Sequence, residues 1–152
     1  QKSVLFVCLW NICRSPLAEA ALRAEAVAAG LALSIDSAGT GNWHAGNPPD
    51  PRAIAEAARH GIDISAYRAR QVREEDFTKF GQIWALDPQN LRDLRSMAPR
   101  RVLAQVGLLM DLVPGREGTA VIDPYYGDED DFAAVWEDVT DAARRLVARL
   151  QK

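Results

Sequence analysis

Short, continuous apolar runs alternate along this chain with longer stretches in which apolar residues recur every three or four positions. The first run, Val4, Leu5, Phe6 and Val7, is rich in strand formers and predicts a buried strand. Over 15–30, Leu17, Ala20, Ala21, Ala24, Val27 and Ala28 keep helical spacing. Ser15 is expected at the N-cap of that helix, Pro16 at its first position and Gly30 just past its end. Residues 31–37 predict a second strand, 51–59 a helix opened by Asp50-Pro51 and closed by Gly61, and 74–80 a short helix. Residues 82–86 predict a third strand, and 88–97 a helix with Asp87 at its N-cap. Residues 102–109 fit more than one element; their second half is read as a fourth strand. The last helix, 130–150, carries acids in its first turns and Arg144, Arg145 and Arg149 toward its end, as the helix dipole favours. Gly and Pro mark loops at 42–49, 111–119 and 123–127.

Strands alternating with helices imply right-handed crossovers. The expected fold is a single α/β domain: a twisted four-stranded parallel sheet with helices on both faces, of flavodoxin-like type. The 152-residue length suits one domain, and a hydrophobic content of 48% suffices for its core. A net charge of −3 and a pI near 5.4 argue against nucleic acid and anionic membranes as partners. No apolar run is long enough to span a bilayer, and the first strand begins too early to leave room for a signal peptide. The only two cysteines, Cys8 and Cys13, stand five apart, which suits a reactive thiol in a reducing cytoplasm better than a disulfide framework. The two histidines, His44 and His60, sit apart and make no metal site.

Candidate chemistry concentrates in 4–16, where a strand turns through a tight loop into a helix. Ligands in such folds bind beyond the carboxyl ends of the strands, where Cys8 falls. Loop N–H groups and the positive helix end converge there on one point, an anion site. Arg14 is placed to fork two donors onto a phosphate. The helix end and the adjacent cation favour a thiolate at Cys8, and the Ser15 hydroxyl either caps the helix or donates to that sulfur. Leu9, Trp10, Asn11, Ile12 and Cys13 would line the phosphate through the loop backbone. Such a site supports attack by Cys8 on phosphorus through a cysteinyl-phosphate, with no metal or other cofactor.

This stretch, VLFVCLWNICRSP, resembles the active-site loop of the low-molecular-weight protein tyrosine phosphatases. Asp36-Ser37-Ala38-Gly39-Thr40, Pro49-Asp50-Pro51-Arg52-Ala53, Arg68-Ala69-Arg70-Gln71, Asn90-Leu91-Arg92-Asp93-Leu94 and Asp123-Pro124-Tyr125-Tyr126-Gly127 follow in the family's order. The resemblance spans nearly the whole chain and implies the phosphotyrosine phosphatase I type of fold. It implies Asp123 as general acid and then base. Trp43, Tyr125 and Tyr126 would be aromatic walls for a phenyl ring, with both tyrosines also as phosphorylation sites. It further implies a phosphotyrosine protein as substrate, an opposing bacterial tyrosine kinase as partner, inorganic phosphate or a similar oxyanion in the loop, and a cytoplasmic monomer.

Asn11 and Ser37 are expected to brace the loop, and Asp87 either to tether Arg14 or to cap its helix. Cys13 either pairs reversibly with Cys8 or fills a small buried space. The chain departs from the family pattern twice. Trp10 replaces the usual glycine, which strains the loop if the position needs φ > 0 and otherwise directs an indole to the pocket mouth. Tyr67 replaces the usual histidine, so its hydroxyl would have to reach Asn11 or that support is missing. Two other functions compete with a phosphatase. An arsenate reductase of this fold would need further cysteines outside the loop. A non-catalytic phosphotyrosine- or anion-binding module would need neither Cys8 as nucleophile nor Asp123.

Overall fold

Strand β1 (Lys2–Cys8) lies between β2 (Leu33–Gly39) and β3 (Gln82–Ala85), with β4 (Gln105–Leu108) outside β3, in a computed structural model that describes residues 2–152. All neighbours pair in parallel, giving the order β2-β1-β3-β4. Side chains of β1 alternate between two cores, as the strand period of two requires. Val4, Phe6 and Cys8 face the core formed with helices α1 (Arg14–Ala28), α2 (Pro51–Arg59) and α5 (Glu129–Leu150). Leu5 and Val7 face a smaller core with Phe77 of α3 (Asp76–Lys79) and Leu94 of α4 (Pro88–Met97). Both faces of the central strand are therefore buried, which explains its unbroken apolar run. Trp84 and Trp136 belong to the larger core, and His60, at the end of α2, stacks on Trp136 with ring centroids 4.5 Å apart.

Helix ends follow their local chemistry. At the end of α1, Gly30 adopts φ +66°; its N–H donates to Val27 and that of Leu31 to Ala26, a Schellman closure. That closure uses Leu31, so β2 starts at Leu33 and runs on to Gly39, two residues later at each end than expected. Asp128 and Asp131 close a capping box at the start of α5. The other end of α1 corrects the sequence reading. Its first helical residue is Arg14, with Cys13 at the cap position, and Ser15 caps nothing because its hydroxyl is engaged at Cys8 and Asn11. The short helix at 74–80 contracts to α3, and a 3₁₀ turn (Leu109–Leu112) follows β4 directly.

Candidate active site

The loop after β1 is anchored by its carbonyls. Those of Cys8, Leu9 and Ile12 accept from the N–H groups of Thr40, Gly41 and Asp50, each at 2.9 Å. In a trans peptide the N–H lies opposite the carbonyl, so the N–H groups of Leu9, Trp10 and Cys13 turn toward the inside of the loop. The first N–H groups of α1 open onto the same space. Gly39 lets the strands come this close: a Cβ there would stand 2.6 Å from the Leu9 carbonyl oxygen.

Asn11 fixes the turn. Among the described residues it is the one non-glycine with positive φ, at 59°, a conformation that asparagine tolerates better than most residues. Its amide donates to Ser15 Oγ (2.8 Å) and Ser37 Oγ (2.9 Å), and its oxygen accepts from the Arg70 N–H (3.1 Å). Ser37 in turn donates to buried Glu19, which Arg23 grips with two bonds. Burial pushes the Glu19 carboxyl up, against the opposing pull of Ser37 and Arg23. Ser15 Oγ accepts from Asn11 and lies 3.0 Å from Cys8 Sγ and 3.5 Å from the Ala38 carbonyl. The Asn11 N–H donates to the Cys8 sulfur at 3.3 Å. The Asn11 N–H and the Ser15 hydroxyl thus both face the Cys8 sulfur.

Arg14 is buried, and its Nη1 donates to Asp87 Oδ2 (2.7 Å) and the Val121 carbonyl (3.0 Å). Burial alone would loosen its proton, but Cys8 and Asp87 outweigh burial and hold the guanidinium charged. Asp87 plays both expected roles at once: Oδ2 tethers Arg14 while Oδ1 caps α4 through the Asn90 N–H. Across the pocket, Asp123 Oδ2 lies 3.9 Å from Arg14 Nη2, and Oδ1 accepts from the Tyr125 N–H. The Asp123 side chain is 44% exposed, open to a substrate oxygen and to water. The pocket is lined by Cys8, Leu9, Trp10, Ile12, Cys13 and Arg14 on one side and Asp123 and Tyr125 on the other. Cys13 is buried, and burial, followed by the charge of Asp50, pushes its thiol well up, so it stays protonated.

The aromatic rim departs from expectation in part. Trp10 keeps φ outside the left-handed region, so its backbone is unstrained, and its indole lies at the pocket mouth edge-on to Tyr125 (5.2 Å) and His44 (5.2 Å). Tyr126 packs edge-on to Tyr125 but is 87% exposed. Trp43 does not line the pocket. It is 81% exposed, and the next residue, His44, turns inward onto Trp10 instead. Tyr67 does not support Asn11: the Arg70 N–H occupies the Asn11 oxygen, and Tyr67 faces Arg23 and Glu19 in a cleft behind the loop. Sequence reasoning missed Arg70, Glu19, Arg52, Gly39 and His44. Arg52, Arg70 and Gly39 stood inside matched motifs, but Arg52 reaches the backbone carbonyls of Tyr125 and Gly127 and Arg70 reaches Asn11 through its own backbone N–H, which side-chain types do not announce.

No group of three or more metal-ligating side chains gathers among the described residues. Nor is any described helix long and apolar enough to cross a membrane. Residues 3–152 match the model of the family described as "Low molecular weight phosphotyrosine protein phosphatase". A relative of that description from Schizosaccharomyces pombe is 41% identical over 95% of this chain and 94% of its own. The low molecular weight protein-tyrosine-phosphatase YfkJ of Bacillus subtilis is 42% identical over 99% and 96%. Among solved structures, a protein tyrosine phosphatase from Entamoeba histolytica superposes with a TM-score of 0.93 at 33% identity, covering 99% of this chain and 97% of its own.

Proposed function

The chain belongs to the low molecular weight phosphotyrosine protein phosphatase family, and from that premise we propose that Cys8, Arg14 and Asp123 carry the hydrolysis of aryl phosphates. The carrying observation is their convergence on one pocket from three directions: a strand end, a helix N-terminus and the facing loop. In the first step Cys8 Sγ attacks phosphorus in line with the phenolic oxygen. The loop N–H groups and Arg14 hold the equatorial oxygens, whose charge they match in the transition state. As the P–O bond breaks, Asp123 gives its proton to the departing phenolate. In the second step Asp123 takes a proton from water, which attacks the cysteinyl-phosphate and releases inorganic phosphate and the Cys8 thiolate.

The same reading makes phosphotyrosine proteins the substrates, opposed in the cell by a tyrosine kinase, and inorganic phosphate or a similar oxyanion the ligand of the loop. The same reading takes the chain to act as a monomer. Two free thiols support a reducing, cytoplasmic setting. An arsenate reductase is disfavoured because the sequence holds no cysteine beyond Cys8 and Cys13 to resolve an arsenylated thiol.

Hydrolysis of para-nitrophenyl phosphate in the presence of a chelator tests the assignment. Cys8→Ser is expected to abolish turnover, and Asp123→Ala to lower kcat/KM by about 10²-fold on phenyl phosphate, whose leaving group needs the proton. A folded wild type that binds vanadate without turnover would instead mark a binding module.

A further inference from the structure

The loop that carries Asp123 packs inward at Val121, Pro124 and Tyr125, but Asp123 itself is exposed, as are Tyr126 and Gly127. Something must nevertheless hold its carboxylate opposite Cys8. Arg52, at the start of α2, spans the gap. Its Nη2 donates to the Tyr125 carbonyl (2.8 Å) and its Nη1 to the Gly127 carbonyl (3.2 Å). Behind, Nε and Nη2 grip both oxygens of Asp50, each at 3.0 Å. The Asp50 N–H in turn holds the Ile12 carbonyl of the catalytic loop at 2.9 Å. The guanidinium carbon also lies 4.8 Å from the centre of the Phe132 ring and 5.7 Å from that of Tyr125. An unbroken path therefore runs from the catalytic loop through Asp50 and Arg52 to Tyr125, whose N–H holds Asp123 Oδ1 at 3.1 Å.

We propose that Arg52 is a positioning residue for the proton transfer: it clamps the Asp123 loop to the catalytic loop without touching the reacting phosphate. The planar fork suits the task, since one cation meets a carboxylate on one side and two carbonyls on the other. Lysine, with a single point of donation, cannot bridge the three. The inference rests on the general-acid reading of Asp123 given above.

The test exploits leaving groups. A substrate with an acidic phenol needs little protonation; phenyl phosphate and phosphotyrosine need it fully. Values of kcat/KM, which report the phosphoryl-transfer step, are measured for Arg52→Met, Arg52→Lys and Asp123→Ala across a series of aryl phosphates. Vanadate affinity is measured alongside as a check on the catalytic loop. Both Arg52 variants are expected to lose about tenfold on phenyl phosphate and about twofold or less on the most acidic phenol, since misplacement costs a general acid more than it costs anion binding. Vanadate affinity should be unchanged, and Arg52→Met added to Asp123→Ala should cost nothing further. If Asp123→Ala steepens the leaving-group dependence and the Arg52 variants do not, Arg52 has no such role. Equal losses on every substrate, or lost vanadate affinity, also overturn it, since they mark general structural damage. If Asp123→Ala itself leaves the dependence flat, the failure lies in the reading of Asp123.

Discussion

Two residues of the site resolve alternatives that the sequence presents. Asp87 both caps α4 and tethers Arg14, one oxygen to each. Asparagine keeps a capping oxygen but loses the charge, so Asp87→Asn separates the two. Its thermal stability is expected to stay within about 1 kcal/mol of wild type, while vanadate affinity, read by inhibition of para-nitrophenyl phosphate hydrolysis, falls about tenfold because the Arg14 tether loses its charge assistance. Unchanged affinity would leave Asp87 with the cap alone. Trp10 is the second case. Its edge-on contact with Tyr125 makes the pocket mouth aromatic on both sides. An aromatic contact beyond simple burial is worth about 1 kcal/mol, so Trp10→Gly should lower kcat/KM for phenyl phosphate about fivefold while leaving a small alkyl phosphate unaffected. Equal effects on both would make Trp10 an obstruction or a bystander. The type and position of Trp10 were legible in the sequence because its backbone demand and its bulk leave one open direction. Trp43 was not: of two adjacent ring side chains in a glycine-bearing loop, no periodicity says which turns inward, and it is His44 that does.

Among the elements, strands and helices were legible wherever burial is periodic, and their ends were not wherever side chains serve the site. Ser15-Pro16 carries every local sign of a helix start, yet α1 begins at Arg14 because the Ser15 hydroxyl serves Cys8 and Asn11. Local propensity lost there to tertiary hydrogen bonding. Gly39 shows the converse, a residue whose reason is invisible without its neighbour. It ends β2 against the catalytic loop, with the Leu9 carbonyl oxygen 2.6 Å from where a Cβ would be. The atoms that Cβ would meet, the Leu9 and Gly41 carbonyl oxygens and the Trp10 carbonyl carbon, are all backbone and cannot yield without moving the loop. Gly39→Ala is therefore expected to lower kcat/KM at least tenfold, as a displacement near 1 Å at a reacting centre can cost about 10²-fold, with a lower melting temperature. Normal kinetics would show that the loop has slack the packing does not reveal.

Across the whole molecule, the parallel sheet gathers Cys8, the N-terminus of α1 and the Asp123 loop at one end, which is why the alternation of strands and helices pointed to the carboxyl end of the first strand before any side chain was placed. What that alternation could not convey is the electrostatic cost of the assembly, because burial of a titratable group depends on contacts from several elements. Cys13 illustrates it. Buried where the larger core meets the pocket, beside Asp50, its thiol is pushed far above the ordinary 9.0, first by burial and then by that charge. The folded state therefore retains the Cys13 proton at a pH where the unfolded chain has released it. Stability from this source is full below the unfolded value and declines as pH rises above it. The slope is about 1.4 kcal/mol per pH unit for a single proton, beginning near pH 9.0. Cys13→Ala removes the titration while leaving Cys8 in place. Urea unfolding from pH 7 to 10.5 should show the wild type losing stability relative to Cys13→Ala only above about pH 9. Parallel pH profiles would mean that the thiol ionises in the folded core as readily as in the open chain. Its protonated state also predicts that iodoacetamide at neutral pH alkylates Cys8 and spares Cys13, which peptide mapping of the intact enzyme would read directly.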